Sequence, residues 1–352
     1  VDADEGSQKA LTPTLLKLAK TNPANSLETL AKACSDPKYR AIAAHTFLST
    51  IQKIPTSVAI EVIPTLLVLC QYDDLHKKSS TVLTELIKAN ATEATQEVIM
   101  KACGDANANV QASAFGALAA LAQTQPGCVN QQVLNIILRF CQHEAEWCRE
   151  AAMQTLTKLI STGKYTNKQV LNVVTDACQA ESVYVGHTAM LALSKLIEAR
   201  SAYANKKLLS IILKGYRSTN AHMRHASMLA LGELLKVQPT YVSKSVQNAI
   251  IQACDDEDEY VRHAAVLAFG TCIQAKAEYT NKRARTIMML KACQDSDKHV
   301  RQAAIPIFVK LVAFVSTQEF VQILPILLNL YGEDNTDEVH EQITLTLLKL
   351  VK

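Results

Sequence analysis

Apolar residues in this chain alternate between two short helical stripes, and the pair of stripes returns every 35 to 39 residues. In one unit, Val246, Ile250 and Cys254 form a first stripe with a spacing of four residues. The polar run Asp255 to Glu259 follows, and then a second, alanine-rich stripe. Apolar positions three or four residues apart indicate amphipathic helices. The pattern therefore predicts helix pairs, with the second helix of this unit running from about Tyr260 to Ile273.

One position near the start of each second stripe provides a ruler for the repeat, because arginine most often occupies it. We call it the Arg position. Its occupants are Arg40, His76, Gln111, Arg149, Gly186, Arg224, Arg262, Arg301 and His340. Self-similarity at this period is typical of an α-solenoid, in which stacked helix pairs share one continuous core. We therefore predict an all-α fold of about nine helix pairs, forming a single array over residues 1–352.

The repeats differ in regularity along the chain. Residues 165–315 are the most regular part, and residues 57–90 are the least regular. Residues 8–18 resemble 301–311, with Pro13 matching Pro306, so the chain is expected to begin with a half repeat. The last predicted helix, 341–352, has no polar capping unit after it, whereas solenoids normally carry one. We therefore expect a piece of a longer array.

The first helices share an opening signature. A tyrosine stands two residues before a residue suited to cap a helix N-terminus. The predicted caps are Asn167, Asn205, Ser243 and Asn281, and the tyrosines are Tyr165, Tyr203, Tyr241 and Tyr279.

The segment Asp258 to Gly270 reads Asp-Glu-Tyr-Val-Arg-His-Ala-Ala-Val-Leu-Ala-Phe-Gly, and its counterparts run along nearly the whole chain. This pattern resembles HEAT repeats, relatives of the armadillo repeat. The resemblance implies a right-handed α–α superhelix and a ladder of ion pairs between turn aspartates and the Arg position. It also implies that this ladder is broken around Gly186, Gln111 and His76. In function it implies a binding scaffold, as in transport receptors and adaptors.

Ten cysteines are present, and most of them occupy one position just before the turn between paired helices. Helix axes pack roughly 8–10 Å apart, whereas a disulfide needs Cα atoms within about 7 Å. We therefore predict free, buried thiols, which favour a cytosolic or nuclear compartment. Basic and acidic residues number 36 and 33 and are intermixed, and no apolar run is long enough for membrane insertion.

Four sets of aligned positions are candidates for partner binding, and each also has a structural explanation. Two residues before the Arg position lies the aromatic column: Trp147, Tyr184, His222, Tyr260 and His299. Its rings could anchor a partner or could cover the neighbouring turn. One residue after the Arg position lies the histidine column: His187, His225 and His263. It is expected to line a polar surface, with pH sensitivity as an alternative.

Four and five residues after the Arg position lie the methionine and leucine columns. Their members are Met190, Met228, Leu191, Leu229 and Leu267. These side chains either belong to the core or form an apolar stripe that could accept a helix or an extended segment.

Candidate chemistry is sparse. Cys141, His143 and Cys148 are ligand-type residues, but they are split between a helix end, a turn and the next helix, without an evident fourth ligand. No nucleophile elbow, phosphate loop or zinc-protease motif occurs in the sequence. We therefore predict no enzyme activity, cofactor or metal site.

The preferred interpretation is a non-enzymatic scaffold that binds a protein segment. The alternative is nucleic-acid binding, using an aligned lysine column: Lys168, Lys206, Lys244 and Lys282. A steep loss of affinity with salt would support the alternative.

Overall fold

The computed structural model describes residues 29–30, 33–34, 40–51, 62–89, 92–275, 291–311, 324–325, 328, 340–341, 343–344 and 348. These residues are helical or lie in turns, and no strand occurs among them. The chain divides into two compact units, Val1–Thr162 and Gly163–Lys352.

The first unit contains, in its described part, α1 (Arg40–Ile51), α2 (Ile63–Leu69), α3 (Asp73–Ala89), α4 (Glu93–Ala102), α5 (Ala108–Thr124), α6 (Gln131–Phe140) and α7 (Glu146–Ser161). The second unit contains α8 (Lys168–Ala177), α9 (Val183–Ala199), α10 (Lys206–Tyr216), α11 (Ala221–Val237), α12 (Lys244–Ala253), α13 (Glu259–Ala275) and α14 (Lys298–Leu311). Long helices with an Arg position alternate with shorter ones, as the helix-pair pattern predicts.

The first helices of the second unit begin at the predicted caps. The side chain of Asn167 accepts a hydrogen bond from the Val170 amide at 3.0 Å, and Asn205 accepts one from Leu208 at 3.0 Å. Ser243 accepts from the Val246 amide at 3.4 Å. Each bond satisfies an amide that has no partner inside the helix, so these three predictions are confirmed.

Each unit is held together mainly by packing between the second helices of successive repeats. In the second unit α9 packs against α11, α11 against α13, and α13 against α14. In the first unit α5 packs against both α3 and α7. The alanine-rich stripe of α13 is its buried face, since Val261, Ala264, Ala265, Ala268, Phe269 and Cys272 are all buried.

The aligned cysteines lie at the C-terminal ends of the first helices. Cys70, Cys103, Cys141, Cys178 and Cys254 are the C-terminal caps of α2, α4, α6, α8 and α12. All ten cysteines are free, and nine of them are buried. Burial raises the pKa of the Cys103 thiol to about 12, with Arg139 partly opposing this shift. These thiols therefore fill space under the turns and are poor nucleophiles.

Two rungs of the expected ionic ladder are present in the second unit. Arg224 Nε and Nη2 each donate to a carboxylate oxygen of Asp256 at 2.7 Å, and Arg262 binds Asp295 in the same way at 2.7 and 2.9 Å. The Nη1 atom of each arginine donates to two carbonyls of its own turn. Each guanidinium therefore joins one turn to the next through a fork of hydrogen bonds.

Where the Arg position lacks arginine, other contacts replace the ion pair. Gln111 Oε1 and His143 Nε2 lie 2.9 Å apart and form a neutral rung. His76 Nδ1 lies 3.3 Å from the Cys70 carbonyl oxygen and 3.4 Å from Ser113 Oγ. At Gly186 an added Cβ would lie only 3.1 Å from Met223 Cε, so an apolar side chain occupies the space. The ionic ladder is thus interrupted at these three positions.

Several predicted features lie outside the described residues: the half repeat at 8–18, the helix opening at 279–282, and most of the last helix at 341–352. The repeat count and the single continuous array therefore stay predictions. None of the described helices is long and apolar enough to cross a membrane.

The buried ion pair between Arg224 and Asp256 is expected to contribute strongly to stability. Asp256→Asn removes the carboxylate from a pair whose side chains are only 12% and 9% exposed. We expect it to lower the free energy of unfolding by about 2 kcal/mol. The control is Asp255→Asn, whose ion pair with Lys291 is half exposed and should cost less than about 0.5 kcal/mol. Urea denaturation followed by circular dichroism measures both, and equal effects would contradict this assignment.

A second stability prediction concerns Gly215, where α10 lies close to neighbouring helices. A Cβ at Gly215 of α10 would lie 2.5 Å from Ser227 Oγ and 2.8 Å from Met190 Cε. Gly215→Ala should therefore destabilise the protein by about 1–3 kcal/mol through overpacking. A Cβ at Gly116 of α5 would meet nothing within 4 Å, so Gly116→Ala should stabilise it by about 0.5–1 kcal/mol through helix propensity. The two variants should shift the thermal midpoint in opposite directions.

Candidate functional site

The aromatic column lies at the start of the second helices. Each of its members is the second residue of its helix, in α7, α9, α11, α13 and α14, two residues before the Arg position. Trp147, Tyr184 and Tyr260 are 51%, 63% and 61% exposed, and His222 and His299 are exposed too. The three large aromatic rings are therefore exposed to solvent on regular helices and not on loops.

The histidine column follows three residues later on the same helices. Residues three apart on a helix lie on one face, so each histidine neighbours the aromatic residue of its own helix. His187, His225 and His263 are each half-buried. The two columns thus form one surface strip on α9, α11 and α13.

The two columns also meet between repeats of the second unit. The His187 and His222 ring centroids lie 5.6 Å apart, and those of His225 and Tyr260 lie 6.0 Å apart, both in tilted arrangements. A histidine on one helix therefore contacts the aromatic position of the next. We call the resulting set the ring ladder: Tyr184, His187, His222, His225, Tyr260, His263 and His299. Its rings cover one edge of their neighbours and still leave the two tyrosines mostly exposed, so the two explanations of the aromatic column are compatible.

The environment of the ladder favours neutral imidazoles. Burial lowers the pKa of His187, and the positive charges that His222 and His225 acquire on protonation lower it further. Burial also lowers the pKa of His225, where Asp258 opposes the shift and His263 and His222 add to it. For His263, burial lowers the pKa, His299 adds to the effect and Asp297 opposes it.

Metal binding finds no support in the described part of the chain. There, no three side chains of histidine, cysteine, aspartate or glutamate are placed to hold one ion. His143, singled out with Cys141 and Cys148, instead bonds Gln111 and stacks on Phe140 with ring centroids 5.3 Å apart.

The methionine column does not reach the surface. Met190 and Met228 are fully buried, so their assignment to a partner-binding surface is wrong. The position four residues after the Arg position faces the first helices, and Met190 Cε lies beside Gly215 of α10, where the missing side chain makes room for it. The leucine column lies one residue further round the helix. Leu191 and Leu229 are half-buried, and Leu267 is 42% exposed.

Val183 is an apolar surface residue that the column pattern does not include. It is the first residue of α9 and is exposed beside Tyr184. Ala221, Glu259 and Lys298 occupy its position in α11, α13 and α14, so a large apolar residue there departs from the pattern. That departure is the signal by which sequence could have identified it.

The apolar strip is specific to the second unit. In the first unit, the positions of the histidine column hold Ala41, Lys77, Ala112 and Glu150, and those of the leucine column hold His45, Thr81, Gly116 and Gln154. These residues are polar or small, so Trp147 alone continues the strip by residue type. The candidate surface therefore comprises the ring ladder, Val183 and the three leucines on α9, α11 and α13.

Lowered histidine pKa values couple the ladder to stability. A histidine with a lowered folded-state pKa binds fewer protons than in the unfolded chain, so stability is lost as pH falls below the ordinary value of about 6.5. The triple variant His187→Gln, His225→Gln, His263→Gln should therefore lose less stability than the native chain between pH 7.5 and 5.5. Chemical denaturation at both values measures this difference, and an identical loss in both proteins would contradict the coupling.

Comparison with known proteins concerns structure alone, because no family model and no curated protein matches the sequence. An engineered protein matches with a TM-score of 0.64 at 16% identity, covering 100% of this chain and 97% of that one. Importin beta, in an ammonium sulfate condition, matches with a TM-score of 0.53 at 12% identity, over 99% of this chain and 54% of its own.

The structure of Kap95p with RanGDP matches with a TM-score of 0.55 at 15% identity, over 97% of this chain and 48% of that one. The chain thus spans about half the length of the importin beta and Kap95p chains. At such low identity the likeness concerns the fold alone. Importin beta and Kap95p are solenoids of the HEAT/armadillo type, and this chain has the same fold.

Proposed function

We propose that this chain is a non-enzymatic scaffold that binds a segment of a protein partner. The binding surface is the exposed face of α9, α11 and α13, formed by the ring ladder, Val183, Leu191, Leu229 and Leu267. The segment is a helix or an extended stretch of chain, because either can lie along a row of neighbouring helices.

The observation that carries the proposal is the exposure of two tyrosines on a rigid frame. Tyr184 and Tyr260 keep more than three fifths of their surface exposed while lying in the first turn of a regular helix. Tyrosine is enriched in binding hot spots, and a ring held by a helix loses little entropy on binding. Exposed Leu267 and Val183 extend the apolar area beyond single scattered residues.

Polar side chains border this apolar area, as a binding surface requires. Towards the C-terminal end of α9, Lys195 pairs with Glu198 at 2.8 Å, and on α11 Lys236 pairs with Glu233 at 3.6 Å. Interfaces typically combine an apolar centre with a polar rim. On α9 and α11 the apolar strip therefore ends before the C-terminal part of the helix, where charged residues take its place.

The fold adds support of a general kind. Kap95p, with the same fold, was solved with RanGDP, another protein. Fold likeness fixes no partner, so the residues of this chain must define the site. A cytosolic or nuclear location goes with the proposal, because the free buried thiols suit a reducing compartment.

Removal of both tyrosine rings tests the surface directly. Tyr184→Ala with Tyr260→Ala should weaken partner binding at least about tenfold, because truncated hot-spot rings typically cost 2 kcal/mol or more each. Tyr184→Phe with Tyr260→Phe keeps the rings and should retain most of the affinity. The measurement is a pull-down with identification by mass spectrometry, followed by titration of the recovered protein against each variant.

Nucleic-acid binding would give a different result. Lys168, Lys206 and Lys244 are exposed at the first residues of α8, α10 and α12, and their replacement by alanine provides the matched control. A ligand lost in the lysine variant, retained in the tyrosine variant and released steeply by salt would contradict the proposed function.

A further inference from the structure

The ring ladder is not electrically uniform, because its α13 end lies among acidic turn residues. We propose that the partner segment bound there is basic, with its cationic side chains placed over the Tyr260 ring and beside the carboxylates of Glu257, Asp258 and Glu259, and that acidification releases it. This inference rests on the proposed function and names both the partner's chemistry and its regulation.

Ion pairing leaves an excess of negative charge at this place. Among the acidic residues of the turns before α13 and α14, Asp255 pairs with Lys291, Asp256 with Arg224 and Asp295 with Arg262. These contacts consume three carboxylates and three cations. The remaining charges must be counted separately, because they determine what a partner encounters.

Four carboxylates remain: Glu257, Asp258, Glu259 and Asp297. The Glu257 side chain is 86% exposed, and its Oε1 lies 3.3 Å from Arg224 Nη2, which already bonds Asp256 at 2.7 Å. The carboxylates of Asp258 and Asp297 accept hydrogen bonds from backbone amides at the starts of α13 and α14. A negative charge is stabilised at a helix N-terminus, so these bonds favour the ionised carboxylate. The other cations at these turns are Lys298, which is exposed, and Arg301, whose Nη1 donates to the carbonyl oxygens of Asp295 and Ser296, so the four carboxylates outnumber them by two.

The ring ladder supplies the second half of the recognition. Tyr260 is 61% exposed beside His225, and it follows Glu259 directly in the chain. A guanidinium or ammonium group is attracted to the face of an aromatic ring, and arginine also stacks on it. Rings flanked by carboxylates therefore favour cationic side chains over acidic ones, while the neighbouring leucines accept apolar residues.

The histidines make this preference dependent on pH. The ladder and its turns present Tyr184 and His187 from α9, His222 and His225 from α11, Asp258, Tyr260 and His263 from α13 and its turn, and Asp297, Lys298 and His299 from α14 and its turn. Five of these groups are imidazoles. Burial and mutual repulsion lower the pKa of His187, His225 and His263, so these three imidazoles are neutral at neutral pH. They gain positive charge as the pH falls, whereas carboxylates ordinarily remain ionised at pH 5.5. A basic segment is then repelled.

Synthetic peptides test the partner's chemistry on the full chain. Three probes have alternating sequences of leucine with arginine, glutamine or glutamate, and fluorescence anisotropy measures their affinity at fixed ionic strength. At pH 7.5 the arginine probe should bind about tenfold more tightly than the glutamine probe, and the glutamate probe should bind most weakly. Glu257→Gln with Glu259→Gln should weaken the arginine probe about five- to tenfold.

The matched control is Glu85→Gln with Glu97→Gln. It removes the same charge from two exposed glutamates on α3 and α4, neither of which belongs to the candidate surface, and should leave the affinity unchanged. At pH 5.5 the arginine probe should bind the native chain about tenfold more weakly than at pH 7.5. In His225→Gln with His263→Gln, the ratio of the two affinities should fall to about twofold, whatever the variant's affinity at pH 7.5.

The outcomes separate this inference from the proposed function. Equal affinity for the arginine and glutamine probes, with both lost in Tyr184→Ala plus Tyr260→Ala, would overturn the basic partner and leave the scaffold surface intact. Arginine-probe binding that ignores both the tyrosine and the Glu257 and Glu259 variants would place the site elsewhere and overturn the inference. Probe binding that depends on none of the ladder residues would remove the support for the proposed function as well.

Discussion

Each of the two units depends on the packing of its second helices against the second helices of neighbouring repeats. Helix axes in such contacts lie roughly 8–10 Å apart, so small side chains must face each other where the backbones approach. This requirement explains the alanine-rich stripes, and it is met where Gly232 of α11 faces Ala268 of α13, since a Cβ on that glycine would lie 3.6 Å from the Ala268 Cα. It also fixes the separation between equivalent residues, which is why single positions in the sequence become continuous columns on the surface.

The ion-pair ladder and the ring ladder are two consequences of the same stacking. Arg224 reaches Asp256 across one repeat interface, just as His187 reaches His222 and His225 reaches Tyr260 at neighbouring interfaces. The buried ion pairs tie the turns together, whereas the rings lie further out and leave most of each tyrosine exposed. Their different burial separates the two roles: the arginines stabilise the stacking, and the tyrosines remain available to a partner.

Much of the fold follows from local rules that sequence displays directly. Caps such as Asn167 and Asn205 depend on one side chain and one nearby amide, and the buried face of α13 depends on helical spacing alone. The burial of Met190 could not be obtained in this way, because it depends on where the neighbouring first helix lies and on Gly215, 25 residues away in the chain. The neutral rung between Gln111 and His143 likewise requires knowledge of which residues meet across the interface.

For the candidate surface too, local spacing could be predicted from the sequence, whereas contacts between repeats could not. Sequence spacing identified the exposed tyrosines and placed the histidines beside them on the same helices. It could not show that the two columns contact each other between repeats, since that contact depends on the rotation of each helix about its axis. Burial of the imidazoles, and hence their resistance to protonation, is a property of the stacked helices and not of any one repeat.

Hydrogen–deuterium exchange of the full chain, with and without a partner protein recovered by pull-down, tests most directly whether α9, α11 and α13 form the binding surface. The partner should protect the N-terminal halves of these helices, around residues 183–191, 221–229 and 259–267. Protection confined to the first helices α8, α10 and α12, with those three segments unchanged, would contradict it.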